Sequence, residues 1–213
     1  MELTKIERMT IMSNLWLELA KPEGGNLRSE ILEQITIFSG RIVTCDPLIS
    51  HNNPFERTVQ PGIYPVVAWW HKEEERIAAA ELKLSEGHPV RWEMAVRPGQ
   101  NVNELKDGSI YGYPVDTGLG CFADVEAIHK LEEMEAQLQR ELGDDFISLY
   151  DNLIEDVLSE HEDNWGSVIV CEDTGLNVVM FSTGYGDGFY ASYWGFDADD
   201  NVVCLVTDFK VLN

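Results

Sequence analysis

Gly184-Tyr-Gly-Asp-Gly-Phe-Tyr-Ala-Ser-Tyr-Trp-Gly-Phe-Asp-Ala-Asp-Asp-Asn-Val-Val-Cys-Leu-Val-Thr-Asp-Phe209 is the stretch from which the fold is read. It holds two runs rich in β-branched and aromatic residues, Phe189–Phe196 and Val202–Phe209, joined by the polar cluster Asp197-Ala-Asp-Asp-Asn201. Such a cluster turns a hairpin, because Asp and Asn bond their own backbone and tolerate left-handed conformations. The cluster also has a superficial likeness to a calcium loop. It lacks the glycine at the sixth position and the glutamate at the twelfth that such a loop uses. The stretch therefore predicts the central hairpin of a twisted sheet.

Working outward, Gly166–Glu172 and Asn177–Ser182 read as two more strands around an Asp173-Thr-Gly175 turn. Before them a helix is predicted from Asp124 to about Leu142, ended by Gly143. A second helix, capped by Asp144-Asp145, is predicted to about His161. Its stripe comprises Phe146, Ile147, Tyr150, Leu153, Ile154, Val157 and Leu158. Further upstream, Ile35–Phe38, Ser39-Gly40 and Arg41–Cys45 read as a β-hairpin. Ile63–His71, Arg76–Leu84 and Arg91–Arg97 read as an antiparallel meander, and Ser109–Asp116 as a strand that Pro114 marks as edge or bulge. Ala78–Ala80 are weak strand formers and need close packing or a covering helix. Leu3, Ile6, Met9, Ile11, Met12, Leu15, Trp16 and Leu19 recur mostly at helical spacing, and Pro22 and Gly24-Gly25 end that run. Between Asn26 and Ile31 a helical turn and a strand starting near Glu30 are both compatible with the pattern.

The expected fold is α+β: a mainly antiparallel, curved or two-layer sheet with an N-terminal helix and an acidic helical hairpin inserted at about 122–162. The whole chain, 1–213, is read as one domain, with 1–33 an N-terminal helical segment and 34–213 the main body. No apolar run approaches the roughly 18–20 residues that cross a bilayer. Met1–Arg8 lacks the basic-then-apolar pattern of a secretory signal. Cys45, Cys121, Cys171 and Cys204 are widely spaced, with no Cys-x-x-Cys pair, and read as reduced thiols of a cytoplasmic protein.

Charge excludes more than any motif does. Thirty-eight acidic against fifteen basic residues give a formal net charge of −23. A surface of that sign repels nucleic acid and anionic membranes alike. The excess is most lopsided from Asp124 to Asp163, where only Lys130 and Arg140 are basic. Glu132, Glu133, Glu135, Asp144, Asp145, Asp151, Glu155 and Asp156 there are the candidate partner-binding residues. The plain alternative is a solvated helical face; the functional reading is a docking face for a basic protein.

Candidates for covalent or metal chemistry are sparser. Asp46, Asp116, Asp124 and Asp187 would form an acid/base pair or a divalent-cation site if the fold brought them together. The alternative is that each caps a turn or helix, Asp124 above all. Cys121, just before a helix, would be a nucleophile only with a base, and His51, His71, His88, His129 and His161 are its candidates. Phosphate-loop, dinucleotide and zinc signatures are missing from the sequence, so no cofactor is assigned. Trp69, Trp70, Trp92, Tyr190, Tyr193 and Trp194 are expected to pack mainly in the core. No pattern assigns an oligomeric state.

Five motifs carry a resemblance. They are Ser39-Gly-Arg-Ile-Val-Thr-Cys-Asp-Pro-Leu48, Pro61-Gly-Ile-Tyr-Pro65, Val115-Asp-Thr-Gly-Leu-Gly-Cys-Phe-Ala-Asp124, Gly186-Asp-Gly-Phe-Tyr190 and Leu205-Val-Thr-Asp-Phe209. With this spacing the chain, from about residue 35 to its C-terminus, resembles an uncharacterised bacterial family of unknown function, DUF4241. The resemblance brings no catalytic residues. It implies a small acidic protein of the immunity kind, which would neutralise a basic toxin domain encoded beside it.

Overall fold

The computed structural model describes residues 15–19, 25–49, 53–162 and 164–212. Among these residues eleven strands form two antiparallel sheets. The first has the order β1(Leu27–Ile37)-β3(Gly62–His71)-β4(Arg76–Lys83)-β11(Val202–Asp208)-β10(Gly188–Phe196)-β5(Arg91–Met94), and β6(Tyr113–Val115) pairs with the start of β10. The second has the order β2(Ile42–Cys45)-β7(Leu119–Asp124)-β9(Leu176–Ser182)-β8(Trp165–Cys171). The sheets face each other across the main core. Ile35, Val66, Leu82, Trp194 and Leu205 of the first sheet meet Ile42, Phe122, Val179 and Phe181 of the second there. Helices cover the second sheet's outer face, so the α+β, two-layer expectation holds.

The β10–β11 hairpin sits inside the first sheet, flanked by β5 and β4, as its sequence predicts. Its polar turn is closed by the Asp197 carboxylate, which accepts the N–H groups of Asp199 and Asn201, each at 2.9 Å. Asp200 takes the left-handed conformation there, with φ 62°. Ala78 and Ala79 lie under α1(Leu15–Leu19), in a cluster with Leu15, Trp16, Tyr193 and Val206. Trp16 stacks 4.4 Å from Trp92 and edge-on to Tyr193 at 4.9 Å. Small strand residues thus give room for a bulky aromatic lid. Of the six aromatics expected in the core, Trp70, Tyr190, Tyr193 and Trp194 are buried, and Trp69 and Trp92 pack partly buried against the cluster under α1.

Several expectations need correction. The helix predicted over 1–20 lies outside the described residues except at α1, and residues 27–33 of the expected helical segment are strand. In β1 a bulge between Ile31 and Glu33 buries Leu32, Ile35 and Ile37 and turns Ile31 outward. The Ile35–Cys45 hairpin does not form: β1 pairs with β3 and β2 with β7, so Ser39-Gly40 carries the chain from one sheet to the other. The backbone N–H groups of Phe38 and Ser39 go to the Asp124 carboxylate instead of closing a two-strand ladder. The meander stops after β4, because β11 takes the next position and β5 pairs with β10. The strand predicted over 109–116 shortens to β6, where Gly112 lies against the β10 backbone.

The first helix of the insertion starts where the sequence suggests, and Leu119–Asp124 before it is strand β7. Asp124 caps α2(Val125–Leu142), accepting the Glu126 N–H, and Gly143 ends that helix at φ 55°. Asp144 and Asp145 do not cap the next helix; they form a 3-10 turn, Gly143–Asp145. Ser148 does that work, with Oγ accepting the Asp151 N–H at 3.1 Å. A π turn, Tyr150–Ile154, then leads into α3(Glu155–Ser159).

Candidate docking surface

The four candidate aspartates divide into two buried and two exposed. Asp46 and Asp124 flank the β2–β7 pair, whose register runs from Ile42↔Asp124 to Cys45↔Cys121. Neither carboxylate is exposed. Asp46 accepts the backbone N–H groups of Asp116 and Thr117 at 3.0 Å, the Thr117 hydroxyl at 2.8 Å and the Leu48 N–H at 3.0 Å. Asp124 accepts from Phe38 N–H at 3.0 Å, Ser39 N–H at 2.7 Å, Ser39 Oγ at 2.8 Å and Glu126 N–H at 2.9 Å. Their oxygens are committed to tying loops across the sandwich. Asp116 and Asp187 are exposed, just beyond the β6–β10 pair that ends at Val115↔Gly188. No group of three or more His, Cys, Asp or Glu side chains among the described residues is arranged to hold a metal ion. Asp46 and Asp124 act as braces, and Asp116 and Asp187 are surface groups.

Cys121 likewise departs from the nucleophile reading. It is fully buried, and its neighbour is the Cys45 thiol at 3.5 Å. That contact, with burial, pushes the Cys121 thiol well up from its ordinary value, the opposite of activation. Of the candidate bases, His71 accepts the Glu74 N–H, His129 lies 4.0 Å from Glu126 on α2, His161 stacks on Trp165 and His88 is exposed. His51 lies outside the described residues.

The acidic residues of 124–162 are arranged by the helices that carry them. Val125, Ile128 and Leu131 of α2, with Leu149, Ile154 and Leu158, face the second sheet over Cys45, Val168 and Met180. This inner stripe fixes which side chains point away. Glu132 and Glu135 are half-buried beside a closed crevice lined by Cys45, Ile128, Leu131 and Leu149. Glu133 is exposed and paired with Lys130 at 2.6 Å. Asp144, Asp145, Asp151, Glu155 and Asp156 are all exposed. All eight sequence candidates therefore sit on the helical layer, five of them clustered around the α2–α3 connection.

Sequence reasoning missed what lies among them. Ile147 is 74% exposed, Leu142 38% and Tyr150 37%, all within the acidic connection. Periodicity assigns Ile147 and Tyr150 to the buried stripe, but the chain reaches that stripe through Leu149. The Ser148–Asp151 cap and the π turn after it set a different rotation. The signal was available in the sequence as Ser148-Leu-Tyr-Asp151, a capping box followed by an apolar run.

Away from this face, a polar groove of about 620 Å³ opens between the start of β1, the β3–β4 turn and the α3–β8 connection. Its two indoles are already covered: Arg28 lies over Trp70 at 4.7 Å and His161 stacks on Trp165 at 3.6 Å. No helix among the described residues is long and apolar enough to cross a membrane.

No curated protein and no solved structure matches the chain. The family model described as "Protein of unknown function (DUF4241)" matches residues 35–207, from the second half of β1 to the last turn of the ladder in β11. It takes in both sheets and the whole helical layer, and the chain belongs to that family.

Proposed function

We propose that this protein is a binding module whose acidic helical layer docks on a basic protein. The observation that carries the reading is the exposed Leu142–Ile147–Tyr150 group inside a run of exposed aspartates. A solvated acidic helix has no need of exposed Ile and Tyr side chains at its tip. A docking face does, because buried apolar and aromatic anchors supply most of the affinity in an interface. The carboxylates around them raise the encounter rate and reject partners of the wrong charge. The formal charge of −23 extends that selection over the whole surface. The partner class this favours is a basic toxin domain, occluded by contact and held without covalent chemistry, which makes the protein an immunity protein.

The product of the neighbouring reading frame is the probe. Calorimetry with the purified pair is expected to give a nanomolar to micromolar Kd that weakens with added salt. Tyr150→Ala with Ile147→Ala is expected to raise Kd at least about tenfold while the fold stays intact. Absence of binding, or binding that ignores both substitutions, overturns the reading.

A further inference from the structure

The structure points to a second feature, independent of docking: we propose that Cys45 and Cys121 are a latent cross-strand disulfide, formed through the crevice beneath α2. They are direct partners in the antiparallel β2–β7 register, so their Cβ atoms face the same side of the sheet. Their sulfurs lie 3.5 Å apart and both residues are fully buried. A disulfide needs sulfurs at roughly 2.05 Å, so each sulfur has well under an ångström to travel. Cys204 and Cys171 have no such partner: all four cysteines are free thiols, and only this pair is in sulfur contact among the described residues.

The two thiols are not equivalent. Cys45 lines the crevice closed by Ile128, Leu131 and Leu149, and Cys121 does not. Cys45 is therefore the sulfur that an incoming oxidant meets. With a small disulfide as oxidant, the Cys45 thiolate attacks one sulfur, a mixed disulfide forms and one thiolate leaves. Cys121 then attacks the Cys45 sulfur and releases the second thiolate. Two cysteine protons pass to the two departing thiolates, so one disulfide is reduced as one is made. The crevice is too tight for the oxidant, and the buried Leu149 is one of the side chains that line it. Oxidation accordingly waits for the helical layer to lift, and its rate reads that opening.

The test incubates the full chain with oxidised glutathione, blocks remaining thiols by alkylation in denaturant, and maps peptides by mass spectrometry. The expected product is a monomer that has lost the mass of two hydrogen atoms, with Cys45 joined to Cys121. Leu149→Ala is expected to form it about tenfold faster or more. Cys121→Ser is expected to stop at a glutathione adduct on Cys45. Alkylated Cys45 and Cys121 in the wild-type protein, with oxidation confined to Cys171 or Cys204, overturn the proposal. An unchanged rate in Leu149→Ala overturns the route through the crevice.

Discussion

Replacing Asp124 by alanine tests whether one buried carboxylate holds three parts of the fold together. It caps α2, and it holds the crossover between the sheets through Phe38 and Ser39. Losing the cap costs about 1 kcal/mol. The Phe38 and Ser39 N–H groups are left without an acceptor, at about 1–2 kcal/mol each for a donor buried without a partner. The sum, about 3–5 kcal/mol, is a large share of the roughly 5–15 kcal/mol that a domain has in total. Asp124→Asn keeps one carbonyl oxygen and the cap but turns an amide N–H toward the Ser39 donor, so about half of that loss is expected. Urea unfolding read by tryptophan fluorescence gives both values, with the slope unchanged in each. Native-state hydrogen exchange is expected to speed up first at Phe38 and Ser39. Asp116→Ala and Asp187→Ala, both exposed, are the controls and should leave the midpoint where it is. A loss below about 1 kcal/mol in Asp124→Ala refutes the account of the carboxylate as a brace between layers.

Two further outcomes follow from residues away from the helical layer. Burial raises the Glu81 carboxyl above its ordinary value of 4.5, against the Trp69 indole N–H and Lys83, which lower it. The protonated form is thus favoured on folding: its stabilisation is fully present below the ordinary value and is lost as pH rises through the folded one. Glu81→Gln, which still accepts the Trp69 N–H, should be more stable than wild type at about pH 7, with the gap closing below about pH 4. An equal gap at both pH values in denaturant titrations defeats this. Gly112→Ala would place its Cβ 2.2 Å from the Tyr190 carbonyl oxygen, a backbone atom that cannot turn aside. A loss of about 2 kcal/mol or more is expected, with faster amide exchange in β6. A thermal midpoint equal to wild type would mean that β6 does not pair with β10.

Elements whose ends are marked by neighbouring residues were legible in the sequence. The β10–β11 hairpin has its polar turn, α2 has Asp124 and Gly143, and β8–β9 has Asp173-Thr-Gly175. The choices that failed depend on distant groups. Ser39-Gly40 looks locally like a hairpin turn, and what opens it is a carboxylate 85 residues beyond Ser39. Nothing near Arg91 says that β11 will occupy the place beside β4, because β-pairing is settled by long-range packing. In the candidate site, sequence alone located the acidic residues, since their excess does not depend on rotation. It misplaced Ile147 and Tyr150, because the helix starts only after Ser148, which leaves Ile147 outside it, and Tyr150 opens a π turn that departs from the 3.6-residue period.

The helical layer commits only its inward stripe to the sandwich, through Val125, Ile128, Leu131, Leu149, Ile154 and Leu158. Glu133, Leu142, Ile147 and Asp156 are exposed and lie outside that stripe. On the docking reading proposed above, recognition and architecture fall to separate sets of positions. The outer set can then change in sequence while the eleven strands beneath keep the same pairing.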